Sequence, residues 1–104
     1  MADEFGTCTK TSHHMEHFGE WTVYGFQYEN GRGERGWHTT SWKRDPIHDF
    51  WVQNGKFYEI SIHYAYRDGD EMLMQIYGEV SSVSPEEKKV VLDAIEKWEK
   101  QDAE

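Results

Sequence analysis

The densest run of chemistry-bearing residues is Cys8 followed by His13-His14-Met15-Glu16-His17. On a helix, His13 and His17 would share a face at i, i+4, a spacing that can chelate zinc. His13-x-x-Glu16-His17 also matches a short zincin-like pattern, His-x-x-Glu-His. That chemistry needs a large two-lobed enzyme around it, which 104 residues do not supply. Without a shaped pocket, a histidine cluster near a terminus is ordinarily unliganded. Cys8, His13 and His17 are the nearest approach to a ligand set, and neither metal nor other cofactor is expected.

The remaining motifs are thinner. Asp68-Gly69-Asp70-Glu71 resembles a fragment of a calcium loop but lacks its spacing and closing bidentate Glu, so it reads as a tight acidic turn. His48-Asp49 stands alone, and no serine lies within nucleophile-elbow glycines. Gly31, Gly33 and Gly36 flank Arg32 and Arg35, without the lysine and strand-to-helix setting of a phosphate cradle. No catalytic constellation emerges, and the chain is not expected to be an enzyme.

The elements that would position these residues can be read from periodicity. Residues 1–19 lack clear apolar alternation and predict an irregular N-terminal arm ahead of a single domain over 20–104. Trp21–Tyr28 is rich in β-branched and aromatic residues and predicts a strand. Trp37–Lys43 predicts a second, which Arg44-Asp45-Pro46 stops. Phe50–Gln53 and Lys56–Tyr66 flank Asn54-Gly55, the signature of a type I′ hairpin. Glu71–Val80 completes about five antiparallel strands. Register matters at the last hairpin, because a slip of one residue inverts every side chain. A loop of three or five residues puts Tyr64 opposite Met74 and Ile62 opposite Ile76. It also puts His63 opposite Gln75 and Glu59 opposite Glu79 on the other face.

Ser84, Pro85 and Glu87 form a helix start with N-cap, N1 proline and capping box. Val91, Ala94, Ile95 and Trp98 then fall on one stripe. The expected fold is α+β, with this C-terminal helix packed on one sheet face over Ile60, Ile62, Met74 and Ile76.

Composition narrows the function. Sixteen of the 104 residues are Phe, Trp or Tyr, enough ring surface to argue against disorder. No apolar run approaches the roughly 20 residues of a membrane span. The single cysteine excludes a disulfide scaffold and fits a reducing compartment, and the acidic start Met1-Ala2-Asp3-Glu4 carries no signal-peptide pattern, so a cytoplasmic location is expected. Eleven Lys and Arg stand against twenty Asp and Glu, a net charge of -9, which disfavours direct contact with a nucleic-acid backbone.

Trp21, Thr39-Thr40-Ser41-Trp42 and Pro46 resemble the outline of a WW domain over residues 19–46, which would bind proline-rich peptides through Trp42. The pattern departs where Gly33–Gly36 replaces the central aromatic pair and where Pro46 stands one residue too far from Trp42, so no family is assigned.

Residues 65–104 hold eleven acids against five bases, a net of -6. Such a concentration steers basic proteins. The expected partner surface is Asp68, Asp70, Glu71, Glu79, Glu59, Glu86, Asp93 and Glu96. The expected function is a small acidic interaction protein, an inhibitor docking on a basic nucleic-acid-handling protein. It resembles immunity proteins and phage-encoded inhibitors, including nucleic-acid mimics, in size and charge alone. The alternative is a peptide- or small-ligand-binding module that uses Trp21, Trp37, Trp42 and Trp51 as an aromatic platform.

Overall fold

A computed structural model describes residues 3–44, 46–67 and 70–103. The chain runs β1 (Asp3–Phe18), β2 (Trp21–Asn30), β3 (Arg35–Trp42), β4 (His48–Gln53), β5 (Lys56–Tyr66), β6 (Glu71–Glu79) and α1 (Pro85–Asp102). All neighbouring strands pair antiparallel, and β1 pairs with both β2 and β6, which closes the sheet into a barrel. The sheet-plus-helix class stands as expected, with six strands where about five were expected.

The additional strand comes from the expected N-terminal arm. The segment reads as irregular because its alternation is broken twice. One break lies between Glu4 and Gly6 against β6, the other between Lys10 and Ser12 against β2. Each irregularity resets which face a side chain takes. Phe5 and Cys8 are thereby turned inward, where both are buried.

Two cores lie on opposite faces of the barrel wall. Inside, Phe5, Cys8, Tyr28, Trp51, Met74 and Ile76 converge. Outside, Val23, Trp37, Phe50, Val52 and Phe57 meet Val91, Ala94, Ile95 and Trp98 of α1. Strand β4 shows the alternation directly: Phe50 and Val52 face α1, while Trp51 between them faces the interior. The helix therefore does not cover Ile60, Met74 and Ile76. Barrel closure buries those residues against other strands, so α1 is left to cover the outer face of β1 to β4. Ile62 stays 39 % exposed.

Two glycines admit the largest rings. A Cβ on Gly36 would lie 2.3 Å from the Trp51 indole, and one on Gly25 would lie 2.1 Å from that of Trp98. Each tryptophan therefore sits against bare backbone, one inside the wall and one outside it.

The β5–β6 register keeps the expected parity by a different route. Ile62 pairs with Met74 and Ile60 with Ile76, two residues from the expected alignment. Tyr66 pairs with Glu71 across four residues, a length that alone would invert the faces. The irregularity between Ile62 and Tyr64 restores them. At the other hairpin, Asn54 and Gly55 have φ of 54° and 75°, both positive as a type I′ turn requires. Ser84 caps α1 by accepting from the Glu87 backbone N–H at 3.2 Å. No helix among the described residues is long and apolar enough to cross a membrane.

Candidate functional site

The largest cavity described holds about 520 Å³ and runs between the second half of α1 and the ends of β3 and β4. Its apolar walls come from Trp37, Val52, Leu92 and Ile95. The periodicities of strand and helix place them: Val52 faces out of the barrel, and Ile95 lies on the buried stripe of α1. Gln27, Gln53 and Asn54 supply carboxamides. A second cavity of about 190 Å³ shares Gln27, Arg35 and Glu99 with it, so the groove continues toward Asp102 at the helix end.

The ionic groups of this groove are already engaged. Arg35 Nε bonds Glu29, and Lys100 Nζ lies 3.1 Å from Glu96. Glu99 accepts from the Trp37 indole N–H at 3.4 Å. Gln53 Oε1 accepts from Trp51 Nε1 at 3.1 Å. An indole nitrogen can only donate, so this bond fixes which end of the Gln53 amide is oxygen and leaves its NH₂ as a donor. The groove thus combines an apolar body site with neutral hydrogen-bonding groups.

Two clusters of serine, histidine and carboxylate pin α1 to the barrel. Near its start, Glu87 is 3 % exposed. Its carboxylate takes a 2.8 Å bond from Ser41 Oγ and faces His48 Nδ1 at 2.9 Å. At its last turn, Asp102 accepts from Ser12 Oγ at 2.6 Å and faces His14 Nε2 at 3.0 Å. The ring of His14 stacks on Trp98 with centroids 5.5 Å apart. The Ser12 bond, more than the His14 contact, holds the Asp102 carboxyl below the usual carboxylate range. Neither cluster is a nucleophilic triad. In both, the serine donates to the carboxylate, and at Asp102 a single ring nitrogen faces both partners. Sequence reading misses both clusters because each carboxylate stands 39 to 90 positions from its serine and histidine.

The expected acidic surface is distributed rather than gathered. Asp68 lies outside the described residues. Asp70 is 2.9 Å from Lys10, and Glu71 is 3.4 Å from Arg67. Glu86 accepts from Trp21 Nε1 at 2.7 Å and from Lys43 at 3.3 Å, bonds that hold its carboxyl below the usual range. Asp93 and Glu96 pair with Lys89 and Lys100 on the solvent side of α1. Glu59 and Glu79 are exposed. They stand near one end of the β5–β6 hairpin and Glu71 at the other, separated by eight strand residues or ~26 Å. Their face is not covered by α1; there His63 Nε2 lies 2.6 Å from Gln75 Oε1.

The aromatic platform is also redistributed. Trp37 and Trp51 are 2 % and 0 % exposed and belong to the two cores. Trp21 and Trp42 remain half-buried, Trp42 with its ring centroid 5.3 Å from that of Tyr24. The potential ligands Cys8, His13 and His17 are not brought together. On a strand, four residues span ~13 Å, and His13 and His17 instead contact Phe26 and Thr22. Burial pushes the Cys8 thiol up to about 11, keeping it protonated in the barrel interior. No group of three or more metal-ligating side chains occurs among the described residues. No protein family, curated protein or solved structure matches the chain.

Proposed function

We propose that the protein is a small-ligand-binding module whose site is the groove between α1 and β3–β4. The observation that carries this reading is the groove's volume of about 520 Å³, lined by apolar side chains, neutral amides and the already partnered Arg35, Glu96 and Glu99. Sites for small molecules commonly span ~300–1,000 Å³ with a few polar groups fixing orientation. Because Arg35, Glu96 and Glu99 already have partners, the groove suits an uncharged molecule that carries hydrogen-bond acceptors for the Gln53 amide. The protonated, buried Cys8 thiol suits a reducing compartment such as the cytoplasm.

A fragment screen by heteronuclear NMR tests this reading. Binders should shift the amides of Gln53, Asn54, Gly55 and Leu92. Leu92→Trp, which fills the groove from its helix side, should abolish those shifts in a protein that still melts cooperatively. Binders that leave these four amides unmoved would sink the proposal.

A second reading, docking of the acidic surface on a basic protein, is favoured by Glu59 and Glu79. Both are exposed with no cationic partner among the described residues. Encounter with such a partner would slow steeply as salt rises, whereas binding in the groove would not change.

A further inference from the structure

A separate cavity, of about 360 Å³, opens at the other end of α1 and is lined by Trp21, Lys43, Arg44, Pro46 and His48. It contrasts with its surroundings. The protein carries a net charge of -9, and most described cations face an acid within 4 Å. Arg44 has no acidic partner among the described residues and lines this cavity. Lys56 and Lys88 also lack one among the described residues, but neither lines this cavity.

The other walls are held in place. Nδ1 of His48 faces Oε2 of the buried Glu87 carboxylate at 2.9 Å, and Ser41 Oγ donates to the same oxygen at 2.8 Å. This anchoring orients the imidazole and leaves Nε2 as the ring nitrogen without a protein bond among the described residues. Lys43 is held at the rim by Glu86 at 3.3 Å and Glu20 at 3.7 Å. The same Glu86 takes the Trp21 indole N–H at 2.7 Å, which sets the plane of that ring. Trp21 and Pro46 supply flat apolar walls beside the Arg44 guanidinium.

We propose that this cavity is an oxyanion site for a small molecule with a phosphate or carboxylate head on a flat apolar body. The guanidinium of Arg44 takes the head in a two-pronged contact, the geometry that favours arginine for such groups. Because His48 Nδ1 gives its hydrogen to the Glu87 carboxylate, Nε2 donates to the head group only in the doubly protonated ring, and Lys43 adds field at the rim. The body lies on the Trp21 ring. Glu86 and Glu20 offset Lys43, so the arginine carries the affinity. This site is separate from the groove and stands independently of the function proposed there.

Phenyl phosphate, benzoate and inorganic phosphate are the probes, followed by heteronuclear NMR on the full chain. Either aryl probe should give saturable shifts at the amides of Lys43, Arg44 and His48 and at the Trp21 indole N–H. The tighter of the two names the head group. Inorganic phosphate should bind about tenfold more weakly, for want of a ring to stack. Arg44→Gln, at an exposed position that should fold normally, should weaken the aryl probe about tenfold. Trp21→Leu should bring phenyl phosphate down to the affinity of inorganic phosphate. The proposal is overturned if neither aryl probe shifts these signals, or if Arg44→Gln binds as well as the unmodified protein.

Discussion

Ile62 and Ile76 show how strongly one residue's contribution depends on what closes over it. Both lie on the inward side of the β5–β6 hairpin, and strand alternation makes them equivalent. Ile76 is 8 % exposed and packs in the interior cluster, whereas Ile62 is 39 % exposed beyond it. Ile76→Ala should therefore cost about 2–4 kcal/mol, the range for emptying a packed site. Ile62→Ala should cost less, about 1–2 kcal/mol, since 39 % of the residue stays in water in the folded state and its loss leaves no closed cavity. Chemical denaturation of the two variants checks this. Equal losses would mean that the mouth of the barrel is packed more tightly than its exposure indicates.

The docking of α1 depends on a glycine as much as on its own apolar stripe. The Trp98 ring lies against Gly25 so closely that a methyl group there would meet it at 2.1 Å. Gly25→Ala should lower stability by about 1–3 kcal/mol, through displacement of the indole and of the core beneath the helix. A denaturation midpoint equal to that of the unmodified protein would show that the helix can tilt away freely. The contrast between Gly25 and Ser84 also explains how far the sequence could be read. The Ser84 cap, the Asn54-Gly55 turn and the apolar stripe of α1 are local chemistry and lie where expected. The position under Trp98, the inward turn of Phe5 and Cys8, and the Glu87 cluster depend on residues tens of positions apart. No local periodicity reports them. The face covered by α1 differs from the expected one because a single hairpin taken alone offers an apolar side without showing that other strands already cover it. The groove and the oxyanion cavity have the same origin. Each lies where α1 meets strand ends, and their lining residues have no common motif.

Acid should destabilise the whole molecule in a defined order. Burial holds the His38 imidazole below the usual histidine range, and Asp49 at 3.5 Å only partly opposes this. In the unfolded chain the ring takes its proton near pH ~6.5. Above that pH both states are neutral there and nothing is lost. As pH falls below it, the unfolded chain binds the proton first, and stability declines until the folded ring is also protonated. Asp102 acts later, because its lowered carboxyl contributes stability that is lost only below the ordinary carboxylate range. His38→Gln should flatten the first decline in melting temperature while leaving the second. An unchanged slope between about pH 5 and 7 would assign the decline to other groups. Barrel closure has a further outcome, during synthesis. Strand β1 finds its second neighbour only when Glu71–Glu79 has left the ribosome. Until then Asp3–Thr9 presents an open line of backbone donors and acceptors on that side, so the growing chain is most vulnerable to self-association while it is nearly complete.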